Sequence, residues 1–373
     1  MKISKAIILS FYIFSLSVPL SASAHSVDRK KLPLGDGRLS SSPKKTWIWA
    51  CHTDPQAGGA EGNAPWIDFN SKTYDFTQKA IVDGSVTWPH KFSISLKGDK
   101  RVFTSNDYPN HPTGTFPISR SDDAYLFDRN PNSISEQSIR VELPANPQLN
   151  TSPSCAPGAV GVLKSGVVLF NALDAPGRDA VAHETQDNCQ GHPQESGVYH
   201  YHNLSSCIPD KVGADGHSEI MGYAIDGFGI FGHKDVGGKE LTSEDLDECH
   251  GHTHEIDWDG KRTTLYHYHA TWDFPYTIGC LRGSYTQEDV RKISGPRPQR
   301  NRGQGNRVQY DRPERGRRGR EGHPDLNVVA QKLGVSTEEL REALGPPPPD
   351  LERAAEKLGI PLSKLREALP PPR

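Results

Sequence analysis

The chain has 373 residues and a formal net charge of -3 with histidine counted as neutral, so its overall charge gives no argument for a nucleic-acid partner or an acidic one. Hydrophobic residues make up 34% of the sequence, enough to bury a core, and 35 glycines and 30 prolines accompany them. This composition favours a compact, loop-rich body of β type.

The N-terminus has the form of an export signal. Lys2 and Lys5 precede an apolar run over residues 6–20, which is followed by the small-x-small pattern A-S-A at 22–24. The predicted signal peptide is therefore residues 1–24, and the mature protein is expected to be periplasmic or secreted. The apolar run is short for a membrane span, and an uncleaved anchor is the alternative.

Short strands are predicted through the body of the chain, because segments rich in β-branched or aromatic residues are bounded by Gly, Pro, Asn or Asp. No long segment with a 3.6-residue period interrupts them. The prediction for residues 25–290 is a single, mainly β domain, an antiparallel sheet or sandwich with long loops. The predicted strands are 46–51, 85–88, 92–96, 101–105, 138–143 and 166–171.

The first histidine-rich segment contains Y-H-Y-H at 199–202, which is predicted to be a strand. Alternate side chains of a strand share a face, so His200 and His202 point to one side. Tyr199 and Tyr201 then point to the other, where a packing role is expected.

The second histidine-rich segment, residues 249–270, predicts a β-hairpin. Its alternating runs meet at Asp259-Gly260, a dipeptide that readily takes the positive φ angles of a two-residue type I′ turn. This turn places Asp257 opposite Arg262, a favourable cross-strand charge pair.

The same register places five histidines on one face of the hairpin, with Tyr266 and Tyr268 behind them. His252 lies opposite His267 and His250 opposite His269. The five are His250, His252, His254, His267 and His269.

An H-x-H pair on a strand is a chelating unit, because both rings reach one ion. Three such units, His200 with His202, His252 with His254 and His267 with His269, together predict a metal site. Imidazole-rich sites suit zinc or copper, and the only two methionines argue against a methionine-type copper shuttle. The predicted ligands are His200, His202, His250, His252, His254, His267 and His269.

Acidic residues just before the hairpin allow two interpretations. Asp245, Asp247 and Glu248 either supply oxygen ligands and hydrogen-bond acceptors for the histidines, or form a solvated helix end.

The six cysteines form an even set, which predicts disulfides in an exported chain. Six cysteines allow fifteen pairings, and the sequence does not choose among them. Cys189 with Cys207 would clamp the first histidine segment, and Cys249 with Cys280 would clamp the hairpin. The full set is Cys51, Cys155, Cys189, Cys207, Cys249 and Cys280.

Residues 294–325 are rich in Arg, Gly and Pro and include R-G-R-R-G-R at 315–320. They are predicted to be a disordered cationic linker. In an exported protein its partner would be an anionic cell-surface component rather than DNA, and a plain solvated tether is the alternative.

The tail, residues 326–373, contains a duplication. Residues 326–344 and 351–369 align without a gap at an offset of 25, and each unit predicts two short helices around a Leu-Gly break. Export argues against DNA binding here. The tail is expected to pack on itself or on a protein partner.

Several motifs resemble the YHYH-domain proteins, a family named for its tetrapeptide. The main ones are Y-H-Y-H at 199–202 and at 266–269, G-Y-A-I-D-G-F-G-I-F-G at 222–232, and D-E-C-H-G-H-T-H at 247–254. The resemblance also takes in L-P-L-G-D-G at 32–37, D-G-S-V-T-W-P at 83–89, H-P-T-G-T-F-P-I at 111–118 and D-R-N-P-N-S at 128–133, so it runs from about Leu32 to Gly283 and leaves out the tail. It implies an exported protein with one integrated domain and assigns no catalytic residue.

Three functions remain open at this point. The first is an exported metal-binding protein, with a hydrolase or oxidoreductase activity at an open coordination position. The second is a noncatalytic surface or periplasmic binding module with a structural metal. The third is a cysteine enzyme, because H-P-T-G-T-F at 111–116 and I-G-C-L-R at 278–282 resemble elements of L,D-transpeptidases with Cys280 as nucleophile. Ile278 departs from that pattern, since the family has histidine there.

Overall fold

The computed structural model of the protein describes residues 27–53, 59–295, 326–336, 339, 340, 343 and 351–368. The predicted signal peptide and all but the first two residues of the predicted linker lie outside these residues. The chain divides into two compact units, Met1–Pro298 and Gln299–Arg373.

The described part of the first unit is mainly β, as predicted. Its helices are α1 (Ala180–His183) and α2 (Gln287–Ile293), with 3-10 turns at Phe76–Gln78, Asp123–Leu126, Val236–Gly238 and Ser243–Asp245. Its strands are β1 (Leu32–Pro33), β2 (Ile67–Asp68), β3 (Thr73–Tyr74), β4 (Ile81–Val82), β5 (Phe92–Lys97), β6 (Lys100–Ser105), β7 (Ile139–Pro144), β8 (Ala159–Leu163), β9 (Val168–Phe170), β10 (Gln186–Asp187), β11 (Gly191–Pro193), β12 (Tyr199–Tyr201), β13 (Ile220–Ala224), β14 (Gly229–Phe231), β15 (Gly251–Trp258) and β16 (Lys261–His269).

An eight-stranded sheet with the order β11-β12-β9-β8-β13-β14-β16-β15 forms the centre of the unit. Smaller sheets are β5-β6-β7, β1-β3-β2 and the parallel pair β4-β10. Most pairings are antiparallel, as predicted. The main sheet also contains the parallel pairs β9-β12 and β14-β16, which the sequence did not indicate.

The main sheet repeats one arrangement about its middle. In the first half, β8 and β9 pair antiparallel, β12 lies parallel to β9, and β11 pairs antiparallel with β12. In the second half, β13, β14, β16 and β15 have the same relations. Because β8 and β13 pair antiparallel at the centre, the halves are related by an approximate two-fold axis between them.

The core lies against the middle of this sheet. Every residue of β8 is buried, and α2 packs against β7 and β8. Buried apolar side chains from both halves and from β6 and β7 belong to the same cluster. The histidine-bearing strands are therefore held by a continuous core rather than by loops.

Four of the predicted strands are confirmed: 92–96, 101–105 and 138–143 correspond to β5, β6 and β7, and 166–171 contains β9.

Segments 46–51 and 85–88 are not strands. The second forms one isolated bridge, Val86 to Thr113. In the first, the amides of Ile48, Trp49 and Cys51 bond to three separate segments, so no continuous ladder forms.

The hairpin register is confirmed. His252 pairs with His267, and Asp257 pairs with Arg262 across the strands. Asp259 and Gly260 form the turn with φ of 53° and 80°. The expected charge pair is not made, because Arg262 bonds to the carboxylates of Glu255 and Asp215 while Asp257 accepts the Gly260 N–H.

Three disulfides join Cys51 to Cys155, Cys189 to Cys207 and Cys249 to Cys280. The two expected clamps are therefore confirmed. Disulfides persist in oxidising compartments, so this pattern is consistent with an exported protein. Among the described residues, no helix combines the length and the apolar character that a membrane crossing requires.

In the second unit the structure describes helices at Leu326–Leu333, Leu351–Lys357 and Leu362–Ala368. Buried residues such as Val329, Leu340 and Leu365 form a small apolar cluster of their own. The two-repeat organisation extends into residues outside the described part and stays a prediction.

Arg101 of β6 anchors the turn of the hairpin to the sheet β5-β6-β7. Its guanidinium donates to both carboxylate oxygens of Asp259, at 2.9 and 2.6 Å. The same group lies 4.4 Å from the ring centre of Tyr223 and 5.0 Å from that of Trp258. Only 4% of the Arg101 side chain is exposed.

We expect Asp259→Asn to destabilise the fold by about 1–3 kcal/mol. Asparagine tolerates the positive φ of the turn, so the backbone is kept while the buried guanidinium loses its counter-charge. The control is Glu255→Gln, which removes an exposed partner of Arg262 and should change stability by about 0.5 kcal/mol or less. Urea unfolding with disulfides intact measures both, and equal midpoints would contradict the anchoring role.

Candidate metal centre

Four histidines converge on the hairpin. β15 and β16 place His252, His254 and His267 on one face, and His217 joins them from the loop before β13. One ligand nitrogen from each lies within 4.8 Å of the others. We call this group the hairpin site. His269 lies beside it, with its Nε2 3.1 Å from Nε2 of His217.

The backbone around the cluster fixes the proton on most of these rings. Nδ1 of His217, His267 and His269 each lies between 2.7 and 3.0 Å from a backbone carbonyl oxygen. A carbonyl oxygen only accepts, so Nδ1 carries the proton. In a neutral ring, Nε2 then presents a lone pair, which is the form that binds metals.

The Nε2 atoms of these rings face each other at short range. Nε2 of His217 and His269 are 3.1 Å apart, and so are Nε2 of His252 and His267. In the first pair both nitrogens are acceptors, so they cannot bond to each other directly. A cation between them would remove the repulsion.

Burial keeps these rings neutral near neutral pH. It lowers the pKa of His252 to about 4 and holds the pKa of His267 and His269 well below the ordinary value, helped by neighbouring imidazoles. The pKa of His217 and of His254 is lowered for the same reason. Neutral imidazoles are ready metal ligands, because no proton has to leave.

The hairpin site reaches the surface on one side. His267 and His269 are fully buried, whereas His252 and His254 are half-buried. The Nε2 atom of His254 is itself buried and has no hydrogen-bond partner. The site is thus a partly exposed cluster in which the His254 Nε2 atom has no partner within the protein.

The structure does not bring His250 into the cluster. His250 comes directly before β15, and its φ of 75° interrupts the alternation of side chains that a continuous strand would have. Its Nε2 bonds with Thr271 Oγ1 at 3.0 Å, and burial lowers its pKa to about 3.

His200 and His202 belong to a separate group with His192, whose ligand nitrogens also lie within 4.8 Å of one another. Their strand β12 is second in the main sheet and β16 is seventh. Five strand spacings of about 4.8 Å put the two groups on the order of 20 Å apart. The predicted ligands therefore cannot all hold one ion.

The tyrosines of both Y-H-Y-H segments lie on the opposite, buried face, as predicted. Tyr199 donates to Asp187 at 2.8 Å, and Tyr266 donates to Asp247 at 3.0 Å. Tyr268 donates to Asp226 at 2.7 Å.

The three acidic residues before the hairpin are not ligands in the described cluster. Asp247 is occupied by the N–H groups of Cys249 and Gly251 as well as by Tyr266. Asp245 bonds to Thr242 and Lys239, and Glu248 pairs with Arg282.

Sequence reasoning missed His192 and His217. A repeated motif could have found the first, because D-N-C-Q-G-H at 187–192 and D-E-C-H-G-H at 247–252 match at an offset of 60. In this match His192 corresponds to His252, and Gln190 corresponds to His250. Both Gln190 and His250 have a positive φ, 58° and 75°. His217 stands outside the repeated motif, so no comparable signal exists for it.

The cysteine-enzyme hypothesis is wrong. Cys280 is bonded to Cys249 and is fully buried, so it has no thiol to ionise. A nucleophilic cysteine needs a free thiolate.

Comparison with known proteins confirms the expected family over part of the chain. The model of the family described as YHYH protein matches residues 140–241, so this segment is a YHYH domain. The match includes the first Y-H-Y-H segment and His217 and ends before the hairpin. No curated protein and no solved structure matches the chain.

We expect Gly251→Ala to destabilise the protein by about 1–3 kcal/mol. A Cβ atom there would lie 2.4 Å from the carbonyl oxygen of His267 and 2.4 Å from the Tyr266 hydroxyl, so the two strands must separate. The control is Gly158→Ala, where no atom lies within 4 Å of the added carbon. Denaturant unfolding compares them, and a Gly251→Ala protein as stable as the control would contradict the close strand packing.

Proposed function

We propose that this is an exported metal-binding protein that holds a transition-metal ion, zinc or copper, at the hairpin site. The ligands are His217, His252, His254 and His267, with His269 as a further nitrogen beside them. The observation that carries the proposal is two facing pairs of Nε2 atoms, each 3.1 Å apart, in a group where Nδ1 of His217, His267 and His269 faces a backbone carbonyl oxygen.

The donor set supports zinc or copper. The hairpin site contains imidazoles and neither carboxylate nor thiolate among its ligand atoms. Imidazole suits zinc and copper, whereas magnesium and calcium require oxygen ligands. The carbonyl acceptors on Nδ1 orient the rings, as outer hydrogen bonds do in metal sites.

The exposure of the site supports a metalloenzyme over a purely structural site. His252 and His254 are half-buried, so the hairpin site borders the protein surface at these two side chains. A metal with an open position can bind water and act as a Lewis acid.

A noncatalytic binding module is the second candidate. Four imidazole nitrogens within reach of one point can fill a tetrahedral shell without leaving room for water. In this case the ion would have a structural role and would link the hairpin to the loop that carries His217.

Metal analysis of the purified full-length mature protein tests the binding. We expect the double variant His252→Ala/His267→Ala to lose one equivalent of metal, because it removes both members of a facing pair. His52→Ala, at an exposed histidine outside both groups, is the matched control and should keep the metal. Mass spectrometry of the metal content after zinc loading measures both. If the double variant has a native circular dichroism spectrum and the same metal content as the unmodified protein, the proposal is contradicted.

Azide titration of the cobalt- or copper-loaded protein separates the two candidates. An open position predicts a change in the visible absorption spectrum as azide binds to the ion. A closed shell of four imidazoles predicts no change at any azide concentration that leaves the protein folded. The His52→Ala protein serves again as the control for nonspecific effects.

A further inference from the structure

We propose that the chain holds a second, separate metal ion at a buried site formed by His192, His200, His202 and Glu184, which we call the inner site. It goes beyond the hairpin site in position, ligand set and accessibility.

The inner site occupies the position in the first half of the sheet that the hairpin site occupies in the second. His192 pairs with His200 across β11 and β12, just as His252 pairs with His267 across β15 and β16. The D-x-C-x-G-H motif and its disulfide recur with each copy.

The surroundings of the rings recur as well. Phe170 stacks on His200 with ring centres 4.1 Å apart, and Phe231 lies 4.8 Å from His267. His202 donates Nδ1–H to the carbonyl of residue 171 at 2.5 Å, and His269 donates to that of residue 232 at 2.7 Å. The approximate two-fold symmetry therefore reaches the hydrogen bonds that orient the ligands.

Two lone pairs again face each other. Nε2 of His200 and His202 are 3.2 Å apart, and Nδ1 of each ring faces a backbone carbonyl oxygen. Both Nε2 atoms are therefore acceptors when the rings are neutral.

Unpartnered polar atoms support a cation at this position. Both ring nitrogens of His192 and Oε2 of Glu184 are buried without a hydrogen bond. Oε2 lies 3.4 Å from Nε2 of His192 and 3.3 Å from Nε2 of His202. Burying such groups without partners costs free energy, and a cation held by the three imidazoles beside the Glu184 carboxylate would offset this cost.

The carboxylate distinguishes the inner site. At the offset of 60, the counterpart of Glu184 is Glu244, which is exposed. Conversely, His254 of the hairpin site corresponds to Gln194, which bonds to Ser196. Three imidazoles and one carboxylate suit a divalent first-row ion such as zinc, and the carboxylate offsets one of its charges in a buried place.

The inner site is closed. Its three histidines are each 3% exposed, and Glu184 is 9% exposed. The half-buried Lys79 holds the segment, since its Nζ donates to the Glu184 carbonyl oxygen at 2.9 Å. Four protein ligands without solvent access are typical of a structural metal site. The hairpin site, which is half-open, would then be the one where the ion can bind a ligand from solution.

Metal stoichiometry tests this inference on the full-length mature protein loaded with zinc and freed of excess ion. We expect two equivalents in the unmodified protein and one in His200→Ala/His202→Ala. Glu184→Gln keeps the shape of the side chain but removes its charge, so zinc affinity at one of the two sites should fall about 10-fold or more. His52→Ala should keep both ions.

Each outcome decides something distinct. If the unmodified protein binds one equivalent of zinc and only His252→Ala/His267→Ala loses it, the inner site is overturned and the hairpin proposal is kept. One equivalent that is lost only with the inner-site variants would support the inner site and overturn the hairpin proposal. No bound ion would overturn both. If the double variant fails to fold, Glu184→Gln decides, and unchanged affinity at both sites in that protein would overturn the inference.

Discussion

Strand alternation in the two Y-H-Y-H segments is the constraint on which the candidate sites depend. The tyrosines of each segment point into the core, where Tyr199 and Tyr268 donate to buried carboxylates and Tyr266 donates to the half-buried Asp247. Because a strand cannot turn one side chain without turning the next, these bonds also fix the histidines on the other face. The tyrosine layer therefore sets the positions of the imidazoles before any ion is bound, which is the preorganisation that a metal site needs.

The two-fold arrangement of the main sheet explains why this device occurs twice. Each half provides a hairpin, a parallel Y-H-Y-H strand and a disulfide beside a D-x-C-x-G-H motif. The halves differ in the groups that surround this common frame. Glu184 completes the inner group, whereas His217 and His254 complete the hairpin group. One frame can therefore present a closed set of ligands and a half-open set in the same domain.

Local features of the sequence predicted the second hairpin well. Asp259-Gly260 defines the turn, and a two-residue loop fixes every pairing from His252 with His267 onward. The strand order is set by nonlocal packing, so the sequence could not show that β12 and β16 lie five positions apart. His217 reaches the site from an irregular loop with no periodicity to read. The left-handed φ of His250 removed a histidine that alternation alone had counted.

Anomalous X-ray diffraction from zinc-loaded crystals, collected on both sides of the zinc absorption edge, shows whether the hairpin histidines bind an ion. Coordination by these rings predicts a strong anomalous peak beside β15 and β16, about 2.0–2.1 Å from Nε2 of His252 and His267. Zinc-loaded crystals with no peak at this position would contradict it, because the facing imidazoles would then be held by protein packing alone.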